Sequence, residues 1–175
     1  DERRRDLQSE LSDLAVRLRV APLVLDLCNQ QDIVRGLQGK FSVYHGAAVG
    51  LVRGKAGIAE FTDEAVNDPA VRRVRERTTA VADVSIGEDQ AHVDVELDGG
   101  RVVSRFVAQS LGNVNRPMTD RQLDGKFRDQ AVLALPASQV ESLIARCWRI
   151  DTLEDVGELV KAAVPASRQT PAVKA

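Results

Sequence analysis

Apolar residues recur with a period of two in some segments and with a helical period in others, and this contrast predicts the order of elements. Apolar and other residues alternate over residues 14–20, which indicates a half-buried strand. Pro22 cannot donate a ladder hydrogen bond, so this strand either ends before Pro22 or lies at a sheet edge. Alternation returns over residues 80–108 and predicts three more strands that form a meander, the first of them running from about Val81 to Ile86. The turn Asp98-Gly99-Gly100 makes the last two strands an antiparallel hairpin.

The central segment, residues 39–54, is the one around which the rest of the chain is expected to pack. Beyond Ser42 it is apolar on every side, which predicts a helix that is buried all round. Gly46, Gly50 and Gly54 recur every four residues, so they line one side of this helix and predict the close approach of another backbone. Gly54 also suits the left-handed conformation just past a helix C-terminus.

The remaining helices are predicted from capping signals. A short helix begins near Phe61, and Asp68 followed by Pro69 predicts a helix that runs to about Arg77. Beyond a loop over residues 109–118, three capping boxes predict a helical C-terminal group: Thr119 with Gln122, Ser138 with Glu141, and Thr152 with Asp155. The apolar stripe of the middle helix places Cys147 and Trp148 in the core.

These elements predict an α+β domain with a mainly antiparallel sheet of about four strands, packed with helices. The domain covers residues 1–164, and the composition of residues 165–175 predicts a disordered tail. No dinucleotide or Walker glycine motif occurs in the chain. The chain opens on Asp1 rather than on Met, so we expect a piece of a longer protein.

Charge and composition exclude several classes of protein. The chain has 24 basic and 26 acidic residues and a net charge of -2, which argues against a nucleic-acid-binding protein. It has neither a run of about 20 apolar residues nor a signal-peptide segment, so we expect a soluble, cytoplasmic protein without a membrane partner. Cys28 and Cys147 stand far apart, which suits two reduced, buried thiols better than a zinc site or a disulfide.

The densest group of reactive side chains stands at the entrance to the buried helix: Lys40, Ser42, Tyr44 and His45. Three of these residues have a purely structural alternative. Lys40 suits a solvated helix start, Ser42 an N-cap, and His45 a hydrogen-bonded core position.

Two other charged groups favour structural interpretations. Four arginines between residues 72 and 77 spread around their helix and are expected to form a solvated face. His92 alternates with Asp94 and Glu96 on one strand, which indicates the wet face of a sheet rather than a metal site.

Several motifs, in order, resemble the MmgE/PrpD family. They are Lys40-Phe41-Ser42, Phe61-Thr62-Asp63-Glu64, Asp68-Pro69-Ala70-Val71, Asp98-Gly99-Gly100-Arg101-Val102, the loop Gly112-Asn113-Val114-Asn115-Arg116-Pro117-Met118-Thr119-Asp120, and Leu123-Asp124-Gly125-Lys126-Phe127-Arg128. The likeness covers nearly all of residues 14–163. It implies the smaller α+β domain that, in this family, follows an all-helical N-terminal domain and closes over the active site.

The resemblance also implies a function. Members include 2-methylcitrate dehydratase of propionate catabolism, which is a lyase, a cis-aconitate decarboxylase, and an iminodisuccinate epimerase, which is an isomerase. They act beside carboxylates of small polycarboxylic acids, need no metal or organic cofactor, and tend to form homodimers through the helical domain. We therefore expect a hydro-lyase, with decarboxylase or epimerase as alternatives. A non-catalytic binding or assembly module is the alternative if the domain exists alone.

Such chemistry needs groups that hold carboxylates and a base that removes a proton beside one of them. Lys40 and Arg116 are candidates for binding carboxylates, and Ser42 for donating a hydrogen bond. Tyr44 and His45 are the candidates for proton transfer. The resemblance places an active-site tyrosine of the family at the position of His45, one residue after Tyr44, so either residue can be the one that faces the substrate.

Overall fold

The structure, a computed structural model, describes residues 14–165 and divides at Pro117 into two units. The strands of the first unit are β1 (Ala15–Val20), β2 (Thr78–Ala82), β3 (Ala91–Glu96) and β4 (Val102–Val107). Its helices are α1 (Pro22–Cys28), α2 (Gly36–Gly39), α3 (Val43–Arg53), α4 (Asp63–Asn67) and α5 (Pro69–Glu76), with 3₁₀ turns at Ile58–Phe61 and Asp98–Gly100. The second unit contains α6 (Asp120–Ala131), α7 (Ala137–Cys147), a 3₁₀ turn at Ile150–Thr152 and α8 (Gly157–Ala162).

The α+β class and the four strands are confirmed, but the prediction of a mainly antiparallel sheet is wrong because the sheet is mixed. Its strand order is β2-β1-β3-β4. β1 pairs in parallel with β2 and antiparallel with β3, which pairs antiparallel with β4. The hairpin of β3 and β4 is confirmed, with positive φ angles at Gly99 and Gly100. The predicted meander of β2, β3 and β4 is wrong, since β1 lies between β2 and β3. The helices between β1 and β2 return the chain so that these two strands are parallel.

The predicted C-terminal end of β2 is wrong, and the reason is a local side-chain turn. The alternation predicted a strand to Ile86, whereas β2 ends at Ala82. The carboxylate of Asp83 accepts hydrogen bonds from the backbone N–H of Ser85 at 2.9 Å and from its hydroxyl at 2.6 Å. This side-chain turn competes with strand pairing and ends the strand.

The core of the first unit lies between β1 and two helices. The inward side chains of β1 alternate with exposed ones, and those of Leu14, Val16, Leu18 and Val20 are buried. They pack with buried residues of α3 and α5, namely Ala48, Val49, Val71 and Val74. The strand ends before Pro22, which is the first residue of α1, so Pro22 leaves β1 free to pair on both sides.

The bounds of α3 match the prediction, but its surroundings do not. The helix ends at Gly54, whose φ is 72°. Tyr44, His45, Ala48 and Val49 are buried, whereas Gly50 and Leu51 are exposed, so the helix is not buried all round. A Cβ atom built on Gly46, Gly50 or Gly54 meets no described atom within 4 Å. No backbone of the described chain therefore approaches this side, and the predicted close approach is wrong within residues 14–165.

Two of the predicted caps are confirmed. The Asp68 carboxylate accepts from the N–H of Ala70 at 2.9 Å, ahead of Pro69, and Thr119 forms a capping box with Gln122. The other two capping boxes are wrong. Ser138 lies inside the first turn of α7, which begins after Pro136, and Thr152 belongs to a 3₁₀ turn.

The predicted burial of the thiols is also wrong. Cys28 is partly exposed and Cys147 is exposed. The neighbouring Trp148 is 51% exposed, and its indole N–H donates to the Asp124 carboxylate at 2.7 Å. The predicted tail, apart from Pro165, lies outside the described residues. Among the described helices, none is both long and apolar enough to cross a membrane.

Two glycine substitutions test this packing. Gly50→Ala is expected to stabilise the chain by about 0.5 to 1 kcal/mol, because the position is helical and open and alanine is the better helix former. Gly36→Ala is expected to destabilise it by at least about 1 kcal/mol, since a Cβ there would lie 2.1 Å from the carbonyl oxygen of Phe61. Urea unfolding of both variants measures the difference. A destabilising Gly50→Ala would show that the glycine side of α3 is covered.

Candidate functional site

Tyr44 and His45, the two candidate proton-transfer residues, lie in different surroundings at the N-terminus of α3. Tyr44 and His45 are consecutive on a helix, so their side chains point about 100° apart. Ser42 is the N-cap, and its hydroxyl oxygen accepts a hydrogen bond from the N–H of His45 at 3.2 Å. The cap therefore fixes the backbone from which both side chains project.

The imidazole of His45 is 0% exposed. Its Nε2 lies 2.8 Å from the carbonyl oxygen of Glu60, and because a carbonyl only accepts hydrogen bonds, Nε2 carries the proton. Nδ1 is buried and has no hydrogen-bond partner among the described residues. Burial lowers the pKa of His45, against the hydrogen bond to Glu60, which raises it. The side chain is thus a neutral imidazole with a free lone pair, which is the form of a base.

The ring of His45 has little room to move. Phe61 contacts it edge-on, with the two ring centroids 5.2 Å apart. A Cβ atom on Gly39 would lie 3.0 Å from its Cδ2 atom, so a larger residue at that position would press on the ring. These contacts agree with the core alternative for His45.

Tyr44 lines a cleft of about 400 Å³ beside α5. The side chain is 4% exposed, and its hydroxyl donates to Asn29 Oδ1 at 2.6 Å and accepts from Gln31 Nε2 at 3.2 Å. The polar residues that line the cleft are Gln31, Asp32, Tyr44, Asn67, Arg72, Arg75, Glu76 and Thr78.

Arg75 contradicts the prediction of a solvated arginine face, because it is 7% exposed and lines this cleft. Its guanidinium donates to the carbonyl oxygens of Val66 at 2.8 Å and Ile33 at 3.4 Å. No carboxylate of the described residues lies within ion-pair distance of it, and burial lowers its pKa. Arg75 stands four residues after the buried Val71, so the helical period carried a signal for its burial.

The other predicted binding residues lie elsewhere. Lys40 is exposed at the C-terminus of α2. Ser42 is 4% exposed and is occupied as the N-cap, as its structural alternative predicted. Arg116 is exposed, and its guanidinium donates to the carbonyl oxygen of Gln109 at 3.0 Å. Of the five candidate residues, Tyr44 is the one that lines the cleft.

The carboxylates near His92 are engaged with other partners. Glu96 forms an ion pair with Arg17 at 2.7 Å, and Asp94 accepts from the hydroxyl of Ser104. His92 Nδ1 lies 3.5 Å from Asp94 Oδ1 without the geometry of a hydrogen bond. Within residues 14–165, no three His, Cys, Asp or Glu side chains form a group that could hold a metal ion.

Comparison with known proteins identifies the domain. The family model of the MmgE/PrpD C-terminal domain matches residues 4–150, which is most of the chain. Among curated proteins, none matches it.

The buried neutral state of His45 predicts a pH dependence of stability. The folded pKa lies below the ordinary 6.5, so below pH 6.5 the unfolded chain binds more protons than the folded one, and stability falls as the pH falls toward the folded pKa. The melting temperature should therefore drop between pH 7.5 and pH 5.5, and His45→Gln should remove part of that drop. His92→Gln, a change of the other of the two histidines, is the control. An equal drop in His45→Gln and wild type would contradict the assignment.

Proposed function

Because the chain belongs to the MmgE/PrpD family, we propose that it is the C-terminal domain of a hydro-lyase that acts on a small polycarboxylic acid, as 2-methylcitrate dehydratase does. The observation that carries the proposal is the family match over residues 4–150. The rest of the enzyme is an all-helical N-terminal domain of the same protein. The full-length enzyme is a cytoplasmic homodimer and needs no added metal or organic cofactor.

Dehydration of a hydroxy acid requires two proton transfers. A base removes a proton from the carbon beside a carboxylate, and an acid supplies a proton to the hydroxyl group that leaves as water. Donors or cations must hold the carboxylates, because negative charge builds up on them as the carbon–hydrogen bond breaks. The other family reactions begin at the same type of carbon and differ in what leaves.

We assign the base to His45, and the support is the free lone pair of its Nδ1. Since this atom is covered in the isolated domain, binding of substrate must displace a neighbouring side chain to reach it. Tyr44 contacts the substrate from the wall of the cleft. Its hydroxyl proton is already donated to Asn29, so Tyr44 acts as an acid only after exchanging that hydrogen bond for one to the substrate.

Lys40, Ser42 and Arg116 remain proposed substrate-binding residues. Lys40 and Arg116 are exposed cations, which suits an approach to carboxylates that a second domain presents. Ser42 contributes by holding the N-terminus of α3, and that end of a helix favours negative charge.

The proposal is tested by assaying the full-length enzyme with 2-methylcitrate and citrate, with and without EDTA. Formation of an unsaturated tricarboxylate, followed by ultraviolet absorbance, is the expected result, and it should not depend on EDTA. His45→Gln is expected to lower kcat by about a hundredfold or more, which is the typical loss for a general base. Tyr44→Phe should lower kcat or raise KM, depending on whether it transfers a proton or only binds.

The matched control is His92→Gln, a change of the same type on a strand outside the cleft, which should leave kcat and KM unchanged. Release of carbon dioxide from added cis-aconitate would support the decarboxylase instead. Interconversion of the enantiomers of added iminodisuccinate would support the epimerase. Full activity in the double variant Tyr44→Phe, His45→Gln would rule out the proposed catalytic role of both residues. A full-length protein that turns over none of these acids would favour the binding or assembly module.

A further inference from the structure

Strand β4 is an open edge of the sheet. In the strand order β2-β1-β3-β4 its one neighbour among the described residues is β3, and residues 102–106 are exposed. Natural sheets protect such an edge with proline, lysine, a bulge or a covering segment. β4 contains neither proline nor lysine, and it pairs with β3 in an unbroken register. Its outer side is therefore a regular strand edge to which another strand can be added.

The hairpin shows which backbone groups of β4 point outward. The N–H of Leu97 donates to the carbonyl oxygen of Arg101 at 2.8 Å, so these two residues form a hydrogen-bonded pair. Hydrogen-bonded and non-hydrogen-bonded pairs alternate along an antiparallel ladder. The backbone groups that point away from β3 therefore belong to Val102, Ser104 and Phe106. Within residues 14–165, these groups have no backbone hydrogen-bond partner.

One antiparallel register makes the sequence of β4 complementary to itself. When two copies of β4 pair about Ser104, Ser104 lies opposite Ser104, and Val102 lies opposite Phe106 of the second copy. All three outward-facing residues then form hydrogen-bonded pairs, whereas a register shifted by two residues uses two of the three. The pair of Val102 and Phe106 is also of the aromatic and β-branched type that stabilises sheets.

The charges of β4 favour the same register. On the other face of the sheet it places Arg105 opposite Val103 of the second copy. In either register shifted by two residues, Arg105 would lie opposite Arg105 or Arg101 of the second copy, and like charges directly opposite each other are destabilising. With Ser104 at the centre, the arginines of the two copies are diagonal neighbours about 7 to 8 Å apart, a distance at which salt screens their repulsion.

We propose that β4 is an interface between two copies of this chain, in which the two β4 strands pair antiparallel about Ser104 and join the two sheets edge to edge. The contact is the same on both copies, as a two-fold dimer requires. Each copy contributes one strand, so the interface is smaller than the standard size of about 800 Å² per partner and the dimer is weak. This inference goes beyond the proposed function, because the homodimer of the full-length enzyme is expected through the helical domain.

Sedimentation equilibrium of the 175-residue chain measures the association. The mass should rise from 19.1 kDa toward twice that value as the protein concentration is raised to about 1 mM. Ser104→Lys places two lysines opposite each other, so it should raise the Kd of the dimer by about fivefold or more. Thr79→Lys makes the same type of change on β2, the other edge strand, and should leave the Kd unchanged. Both positions are exposed, so both variants are expected to fold, and circular dichroism checks this.

Disulfide formation tests the register. In a background in which Cys28 and Cys147 are changed to serine, Ser104→Cys should form a disulfide-linked dimer on mild oxidation. The reason is that the Cα atoms of a hydrogen-bonded pair lie about 5.5 Å apart, within the range of a disulfide. Val102→Cys alone should not form one at a comparable rate, since the two cysteines would be four residues apart, about 14 Å along the strand. A mixture of Val102→Cys chains with Phe106→Cys chains should cross-link.

Three results would overturn the proposal. The first is a chain that stays at 19.1 kDa over the whole concentration range. The second is a Ser104→Lys variant that associates as tightly as the wild type, which would place the interface elsewhere. The third is cross-linking of Val102→Cys with itself as fast as that of Ser104→Cys. None of these measurements depends on turnover, so a failure of this inference is distinct from a failure of the proposed function.

Discussion

The packing of α3 and α5 on the inner face of β1 fixes the positions of Tyr44, His45 and Arg75. β1 is paired on both sides, and its four inward side chains are buried against the apolar faces of the two helices. Burial of apolar area contributes about 25 cal/mol per Å², so this contact stabilises the first unit. Because α3 presents Ala48 and Val49 to the strand, the rotation of the helix about its axis is set, and with it the directions of Tyr44 and His45.

Structural features that depend on a few neighbouring residues could be predicted from the sequence. The alternation of β1, the N-cap at Ser42, the left-handed Gly54 and the hairpin at Gly99 each depend on a few neighbouring residues. The pairing of β2 with β1 could not be predicted in this way, because strand pairing depends on contacts between distant segments that no local period encodes. The capping-box pattern at Ser138 failed for a related reason, since α7 begins directly after Pro136, two residues earlier than the pattern alone indicates.

The sequence predicted a candidate site at the entrance to α3, and its geometry could not be predicted. Of the residues that crowd there, Tyr44 lines a cleft in the structure. Which of Tyr44 and His45 faces the cleft depends on the rotation of α3, which is fixed by tertiary packing. Arg75 was missed because the charges of its helix were considered together, whereas its spacing from Val71 and Val74 already placed it at the edge of the buried stripe.

Burial has opposite consequences for His45 and Arg75, the two buried basic side chains among the described residues of this unit. It disfavours the protonated imidazole, so His45 remains neutral and keeps a lone pair that can accept a proton. It cannot neutralise Arg75 near neutral pH, even though it lowers the pKa, because guanidinium is ordinarily deprotonated only far above that range. Arg75 therefore remains a desolvated cation in a cleft, where attraction to an anion is stronger than at the surface. One helical layer on β1 thus holds both a neutral imidazole and a fixed positive charge, which are the kinds of group that the proposed proton removal beside a carboxylate would use.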